Sequence, residues 1–395
     1  MVQRDARTDA VLDAGKLELG GTSRRLQVLH VGKFYPPHMG GMETHLEALC
    51  SRLRESVDLQ VVVANDDRSG KEETLNGVAV TRLPTRLTLV STPLCPEMIS
   101  KIRAFRGEIL HLHMPNPMAV LAYLASGYRG RLVVTYHSDM VRQKILGPLF
   151  EPLLHAALRR SSAIIVTSPN YLHTSTVLAR HQDRCEVIPL GIPLESFEQP
   201  DEAAVRSIHQ RHGERLVVGV GRLVYYKGFE YLIHAMKQVD GQLLIVGEGP
   251  LREKLGALAV ELGVADRVTF LGKIDHPSLV ACYHAASVFA LPSVARSEAY
   301  GLVQVEAMAA GLPVVNTLLD SGVPFVSLHE QTGLTVPPAD PAALAAAINR
   351  LLDDPNLRTA YGQAARLRAR QEFAVEVMTA RTLSLYERIT SAGVQ

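Results

Sequence analysis

The 395-residue chain is 47 % hydrophobic and 21 % charged, with a formal net charge of +1. This is the composition of a soluble globular chain of two or three domains, and nothing global in it points to nucleic acid. No apolar run approaches the roughly 18–20 residues that span a bilayer. The four cysteines, Cys50, Cys95, Cys185 and Cys282, are scattered without C-x-x-C or metal spacing, so they read as reduced core thiols of a cytoplasmic protein.

Residues 1–23 interleave acids and bases without an apolar core, so a loose tail is expected rather than a signal peptide. Residues 26–31, LQVLHV, are an apolar run expected to form a buried strand. A loop rich in Gly and Pro follows and ends at Gly40-Gly41. Residues 42–54 then show helical periodicity through Leu46, Leu49 and Leu53. Backbone N–H groups at Gly40 and Gly41 could face a diphosphate, although a glycine pair before a helix also serves simply as a turn. The spacing is not G-x-G-x-x-G. Glu43 suits the first turn of a helix, where the dipole favours a negative charge.

Further strands are expected at residues 59–64, 78–82, 109–113, 132–136 and 163–167, with helices at 117–125 and 148–160. That alternation predicts a parallel sheet with helices on both faces. His111 and His113, on one expected strand, could line a cleft but read first as structural. The strand at 132–136 ends in His137-Ser138-Asp139. A histidine at the carboxyl end of such a strand can enter a ligand crevice, and Asp139 is placed to orient it or to bind an acceptor. Between residues 82 and 160, 11 basic residues stand against 4 acidic ones. The helix at 148–160 carries an apolar face (Leu149, Leu153, Leu154, Leu158) ending in Arg159-Arg160. It reads either as a core-facing helix with a solvated basic side or as a peripheral surface for an anionic bilayer.

A polar linker with a helix at 198–212 separates the halves, and the alternation restarts with strands at 215–220, 243–246, 268–271, 288–291 and 314–317. Two similar α/β halves predict two Rossmann-like domains facing a cleft, where pockets favour the interface. Residues 24–200 are expected to form the first and 201–372 the second. The first strand of the second half runs into Gly221-Arg222-Leu-Val-Tyr-Tyr-Lys227-Gly228. Two cations on one strand-to-helix loop would balance a diphosphate without a metal. No D-x-D stands in a metal-binding context, so no metal ligand is assigned.

Residues 293–313, SVARSEAYGLVQVEAMAAGLP, carry two carboxylates eight residues apart, Glu298 and Glu306, with Gly301 opening a helix between them. A helix start offers free N–H groups to a phosphate, and carboxylates accept from vicinal hydroxyls. Eight helical residues span about 12 Å, which suits a nucleotide-sugar lying along the helix start.

This E-x7-E stretch, with its YGL and EAMAAGLP flanks, resembles the retaining glycosyltransferases of family four, which have the GT-B fold. The PP-x-x-GG-x-E of the first loop, the T-Y-H ending at His137 and the G-R-L-x-x-x-K-G at Arg222 and Lys227 resemble the same family, over about residues 26–389. The resemblance implies transfer from a nucleoside-diphosphate sugar with retention, no metal, and a last helix (residues 373–395) crossing back to the first domain. It implies that Gly40 and Gly41 lie against donor phosphates and that Glu43 faces the acceptor. It places His137 beside the reacting sugar carbon. Arg222 and Lys227 would hold the β-phosphate, with the N–H groups of Tyr300, Gly301, Leu302 and Val303 nearby. Glu298 would hold sugar hydroxyls, Glu306 the ribose, and Lys273-Ile274 the base. Ser321-Gly-Val-Pro departs from the family's G-G-x-P at the donor side.

The stretches YHSDMVRQK and TSPNYLHTSTVLA look like bacterial mannosyl- and rhamnosyl-type enzymes of polysaccharide assembly. GDP-mannose is therefore the first expected donor and a glycan on polyprenyl diphosphate the expected acceptor, at the inner face of the membrane. UDP-glucose or UDP-N-acetylglucosamine remain alternatives, as does a non-catalytic partner subunit of the same fold.

Overall fold

The computed structural model describes residues 24–38, 40–89, 92–139 and 146–391, with the backbone alone at 146–149. The expected N-terminal tail and the basic residues Arg142 and Lys144 lie outside the described residues. Two large sheets carry the fold. In the first, the strands run, edge to edge, Cys185–Val187, Ala163–Val166, Arg131–Tyr136, Ile109–Met114, Gln27–Val31, Asp58–Ala64, Val78–Leu83 and Lys71–Leu75. All pairs are parallel except the last, where Lys71–Leu75 returns antiparallel through Asn76-Gly77, both at positive φ. The central strands are almost wholly buried because helices cover both faces, as in a parallel sheet, and His30, His111, His113 and Thr135 are buried with the apolar residues.

The second sheet is wholly parallel, in the order Val268–Gly272, Gln242–Val246, Leu216–Val220, Val288–Leu291, Val314–Thr317, Gly333–Val336. Numbered along the chain this is 3-2-1-4-5-6, the doubly wound order. The order reverses between Leu216–Val220 and Val288–Leu291. Loops leaving the carboxyl ends of those two strands therefore diverge to opposite sides and open a crevice between them. The first sheet reverses between Gln27–Val31 and Ile109–Met114.

The chain passes between the halves twice, and the two passages are bonded to each other. Ile192 N–H donates to the Phe373 carbonyl at 3.0 Å and Val375 N–H to the Ile192 carbonyl at 3.0 Å. Beyond this point the helix Val375–Ser391 lies against the first sheet. Val375, Met378, Leu385 and Tyr386 share one core with Val28, Leu49, Leu53 and Ile109, and Arg52 pairs with Glu376 at 3.0 Å. The last helix thus crosses back as expected.

Three basic residues of the segment have acidic partners. Arg82 pairs with Glu73 at 2.6 Å, Lys101 with Glu72 at 2.8 Å, and Arg86 with Glu97. In the helix Leu146–Arg160, Leu154 and Leu158 are in the core while Leu153 is exposed, as are Arg159 and Arg160. One face of the helix is therefore in the core and the other is exposed.

Candidate active site

The strand Leu216–Val220 is fully buried and delivers the chain to a short helical turn, Tyr225–Lys227, closed by Gly228. Gly228 is at φ +66°, and a Cβ there would collide with the Pro292 carbonyl oxygen. Only glycine fits this close approach without strain. The contact presses the Lys227 loop against the end of the strand Val288–Leu291, across the switch point of the sheet.

Lys227 and Glu298 meet there. Lys227 Nζ lies 2.6 Å from Glu298 Oε2, and both side chains are about nine-tenths buried. Ser293 Oγ donates to the same oxygen at 3.0 Å, and Thr317 Oγ1 fixes the Ser293 carbonyl at 2.5 Å. Among the described residues nothing bonds Glu298 Oε1. An ammonium has three donors, so Lys227 keeps donors beyond the one used by Glu298. Arg222, on the same loop, is exposed, and no described residue pairs with it.

Gly301, at φ +74°, starts the helix Leu302–Ala309 from a left-handed turn. Glu298 therefore stands before the helix and Glu306 inside it. The 12 Å span expected for eight helical residues does not apply, because the glycine breaks the helix between them. Glu306 Oε2 accepts from Tyr283 Oη at 2.7 Å. Burial raises its carboxyl above the ordinary carboxylate range, with the Tyr283 bond and the Lys227 charge opposing. The Tyr300 ring does not face the crevice. It is buried edge-on to Phe373, its hydroxyl towards the Leu190 carbonyl at 3.5 Å. Leu302 and Val303 form the first turn, partly buried. Lys273 is exposed and Ile274 packs on the core beside it, after the strand Val268–Gly272. Ser321, which replaces a family glycine, is fully buried and its Oγ accepts from Val323 N–H at 3.4 Å. It serves the local turn.

From the first sheet, Gly40 caps the helix Gly41–Leu53, and the buried Glu43 carboxylate folds over it. His137 follows the strand Arg131–Tyr136, its N–H donating to the Met114 carbonyl at 3.0 Å. Its ring is buried, and that burial lowers its pKa to about 4. Asp139 does not orient His137. Its carboxylate accepts from Tyr136 Oη at 2.9 Å and Ser175 Oγ at 2.8 Å, and pairs with Arg296 at 3.1 Å.

Arg296 is the residue that sequence reasoning missed. It comes from the loop of Glu298 and reaches the other half, donating to the Thr174 carbonyl at 2.9 Å and lying over the Tyr171 ring. Through it the His137 segment and the Glu298 segment face one cleft. The only signal was a basic residue two positions before Glu298.

Two family models match this chain: Glycosyltransferase Family 4 over residues 39–196 and Glycosyl transferases group 1 over residues 201–368. The D-rhamnosyltransferase WbpZ of Pseudomonas aeruginosa is 32 % identical over 352 residues, covering 88 % of this chain and 92 % of that protein. The chain belongs to glycosyltransferase family 4. This is a family of retaining enzymes. The O-antigen chain mannosyltransferase C of Escherichia coli is 28 % identical to this family-4 enzyme, covering 91 % of it and 98 % of the relative. Among solved structures, sucrose-phosphate synthase from Thermosynechococcus elongatus superposes with a TM-score of 0.79 at 26 % identity, over 93 % of this chain and all of that one. The Anabaena protein Alr3699/HepE in complex with UDP superposes at 0.76 with 20 % identity, over 92 % of this chain and 100 % of that one, which establishes the shared GT-B fold.

Proposed function

We propose that this enzyme transfers mannose from GDP-mannose, with retention and without a metal, to a glycan carried on a lipid diphosphate. The observation that carries the reading is the Lys227–Glu298 pair at the switch point of the second sheet. It couples a cation suited to a leaving diphosphate to a carboxylate with one oxygen left for sugar hydroxyls. The reaction requires the glycosidic C–O bond to loosen while charge builds on the diphosphate. Lys227, Arg222 and the N–H groups at Gly301–Val303 stabilise that charge as fixed donors. Glu298 orients the sugar, Glu306 takes a ribose hydroxyl, and main chain at Lys273-Ile274 seats the base. The backbone at His137, whose ring is buried beneath the wall, lines the sugar from the opposite side, with Gly40 and Gly41 near the phosphates and Glu43 towards the acceptor. Attack comes from the face of departure, and a diphosphate oxygen receives the acceptor proton.

The donor sugar is supported by the relatives: one is a mannosyltransferase by name, and another, from Mycolicibacterium smegmatis, is GDP-mannose-dependent and 32 % identical over 361 residues. Calorimetry with GDP, UDP, GDP-mannose and UDP-glucose, each with and without EDTA, tests the reading. GDP preference untouched by EDTA is expected, and a UDP preference overturns the donor. Among the described residues no helix is long and apolar enough to cross a membrane. Contact with a lipid-borne acceptor is therefore assigned to exposed basic residues such as Arg106, Arg129, Arg159 and Arg160. Flotation with anionic liposomes at low salt is expected to carry the protein upward; failure to float removes that contact.

A further inference from the structure

Beneath the first-sheet wall of the cleft lies a cluster of buried histidines whose rings the transfer reaction does not use. The parallel register sets His30 beside His111, and His113 lies two residues on, on the same face. Their nitrogens form one chain of bonds. His113 Nε2 meets His30 Nδ1 at 3.0 Å, and His30 Nε2 meets Tyr386 Oη at 3.3 Å. Tyr386 Oη meets His111 Nδ1 at 2.5 Å, and His111 Nε2 meets Thr135 Oγ1 at 2.7 Å.

The chain has a consistent proton assignment with every ring neutral. His113 donates to His30, His30 to Tyr386, Tyr386 to His111, and His111 to Thr135. Burial lowers the pKa of His30 to about 3 and pushes His111 and His113 well below the ordinary range, so neutral rings are the stable form. In that assignment His113 Nδ1 is left as a bare lone pair.

That nitrogen is not alone. His113 Nδ1, both nitrogens of His45 and His137 Nε2 are all buried without a partner among the described residues. Unpartnered buried polar atoms are uncommon and costly. Here they gather at one place. One nitrogen from each of His45, His113 and His137 lies within 4.8 Å of the others. The rings come from three separate elements: the helix Gly41–Leu53, the strand Ile109–Met114 and the end of the strand Arg131–Tyr136. They are 2–6 % exposed.

We propose that His45, His113 and His137 form a binding site for a divalent transition metal of the zinc class, with the His30–Tyr386–His111–Thr135 chain fixing the tautomer of His113. Three neutral imidazoles with an open fourth position are a donor set that suits Zn²⁺, Co²⁺, Ni²⁺ or Cu²⁺ and disfavours Mg²⁺. A bond of His113's other nitrogen to a fixed acceptor is the outer-shell arrangement that metal-bound histidines adopt. Zn–N bonds of about 2.0–2.1 Å place tetrahedral nitrogens about 3.4 Å apart, so each ring need turn by only about 1 Å at its edge. The ion is bound outside the chemistry of transfer, and the proposal does not depend on which sugar the cleft takes.

The test is a Co²⁺ titration of the full chain after EDTA treatment, followed by Zn²⁺ competition. One Co²⁺ per chain with visible ligand-field bands, displaced by Zn²⁺, is expected, and affinity should drop at least tenfold in His45→Leu and in His113→Gln. No stoichiometric binding, or binding unchanged in both variants, overturns the site. Should the variants fail to fold, X-ray absorption on the zinc-loaded wild type decides. Three imidazole nitrogens in the first shell support the proposal; thiolate or predominantly carboxylate ligands refute it.

Discussion

On the second-sheet side of the cleft, Lys227 and Glu298 are buried as opposite charges 2.6 Å apart. On the first-sheet side, His45, His113 and His137 are buried as neutral rings with nitrogens to spare. Both walls place polar groups at strand ends of a doubly wound sheet, yet they keep them there differently. A buried ion pair fails as a unit, because removing one partner strands the other charge in a poorly solvated place. A ring cluster fails piecemeal, one unpartnered nitrogen at a time. The donor side therefore concentrates its stability and its chemistry in the same two residues, whereas the other wall distributes its stability along a chain of bonds.

The largest effect should come from splitting the pair. Lys227→Ala is expected to lower turnover by about 100- to 1,000-fold and stability by about 3–5 kcal/mol, read from initial rates and urea unfolding. Lys227→Met with Glu298→Leu should recover most of that stability and none of the turnover. A single variant that keeps near-native rates would detach the pair from the reaction. On the other wall, Tyr386→Phe removes the hydroxyl joining His30 to His111. It should cost about 1–3 kcal/mol in urea unfolding, with turnover within about twofold of wild type. A turnover loss as large as that of Lys227→Ala would erase the distinction between the walls.

The smallest effect is expected at the bridge between them. Arg296 and Asp139 are partly exposed, with side chains 30 % and 22 % accessible, so Arg296→Ala should change stability by less than about 1 kcal/mol. Small-angle scattering should nevertheless show a more open molecule if this bridge holds the walls together. An unchanged radius of gyration would show that the paired chain crossings alone set the opening.

Much of this was legible in the sequence. The apolar runs that became Val288–Leu291 and Val314–Thr317 are read directly because both faces of those strands are covered. The edge strand Lys71–Leu75 was missed because it is charged and mostly exposed, although Asn76-Gly77, a hairpin signal, marked it. The motif residues Lys227 and Glu298 were legible one at a time. Their contact was not, because it depends on the strand order that puts their loops on either side of the switch point. His111 and His113 were read as structural from their strand; both nitrogens of His111 are bonded, whereas His113 Nδ1 has no partner among the described residues. His30 and His45 gave no signal. His30 joins the cluster through sheet register and His45 through the seating of a helix, and neither can be read from local pattern.

The return of the helix Val375–Ser391 to the first sheet also bears on the order in which the molecule is made. The groove it fills, lined by Val28, Leu49, Leu53 and Ile109, is synthesised near the beginning of the chain, and the segment that covers it comes after residue 374. Domains ordinarily fold as units during synthesis, the earlier one first. Here the earlier half emerges with an apolar face open and with His30 and His111 lacking the Tyr386 hydroxyl. It stays incomplete while the entire second sheet is translated. The half begun first is the half finished last, and a nascent chain stalled before residue 375 would present that uncovered groove to chaperones or to other copies of itself.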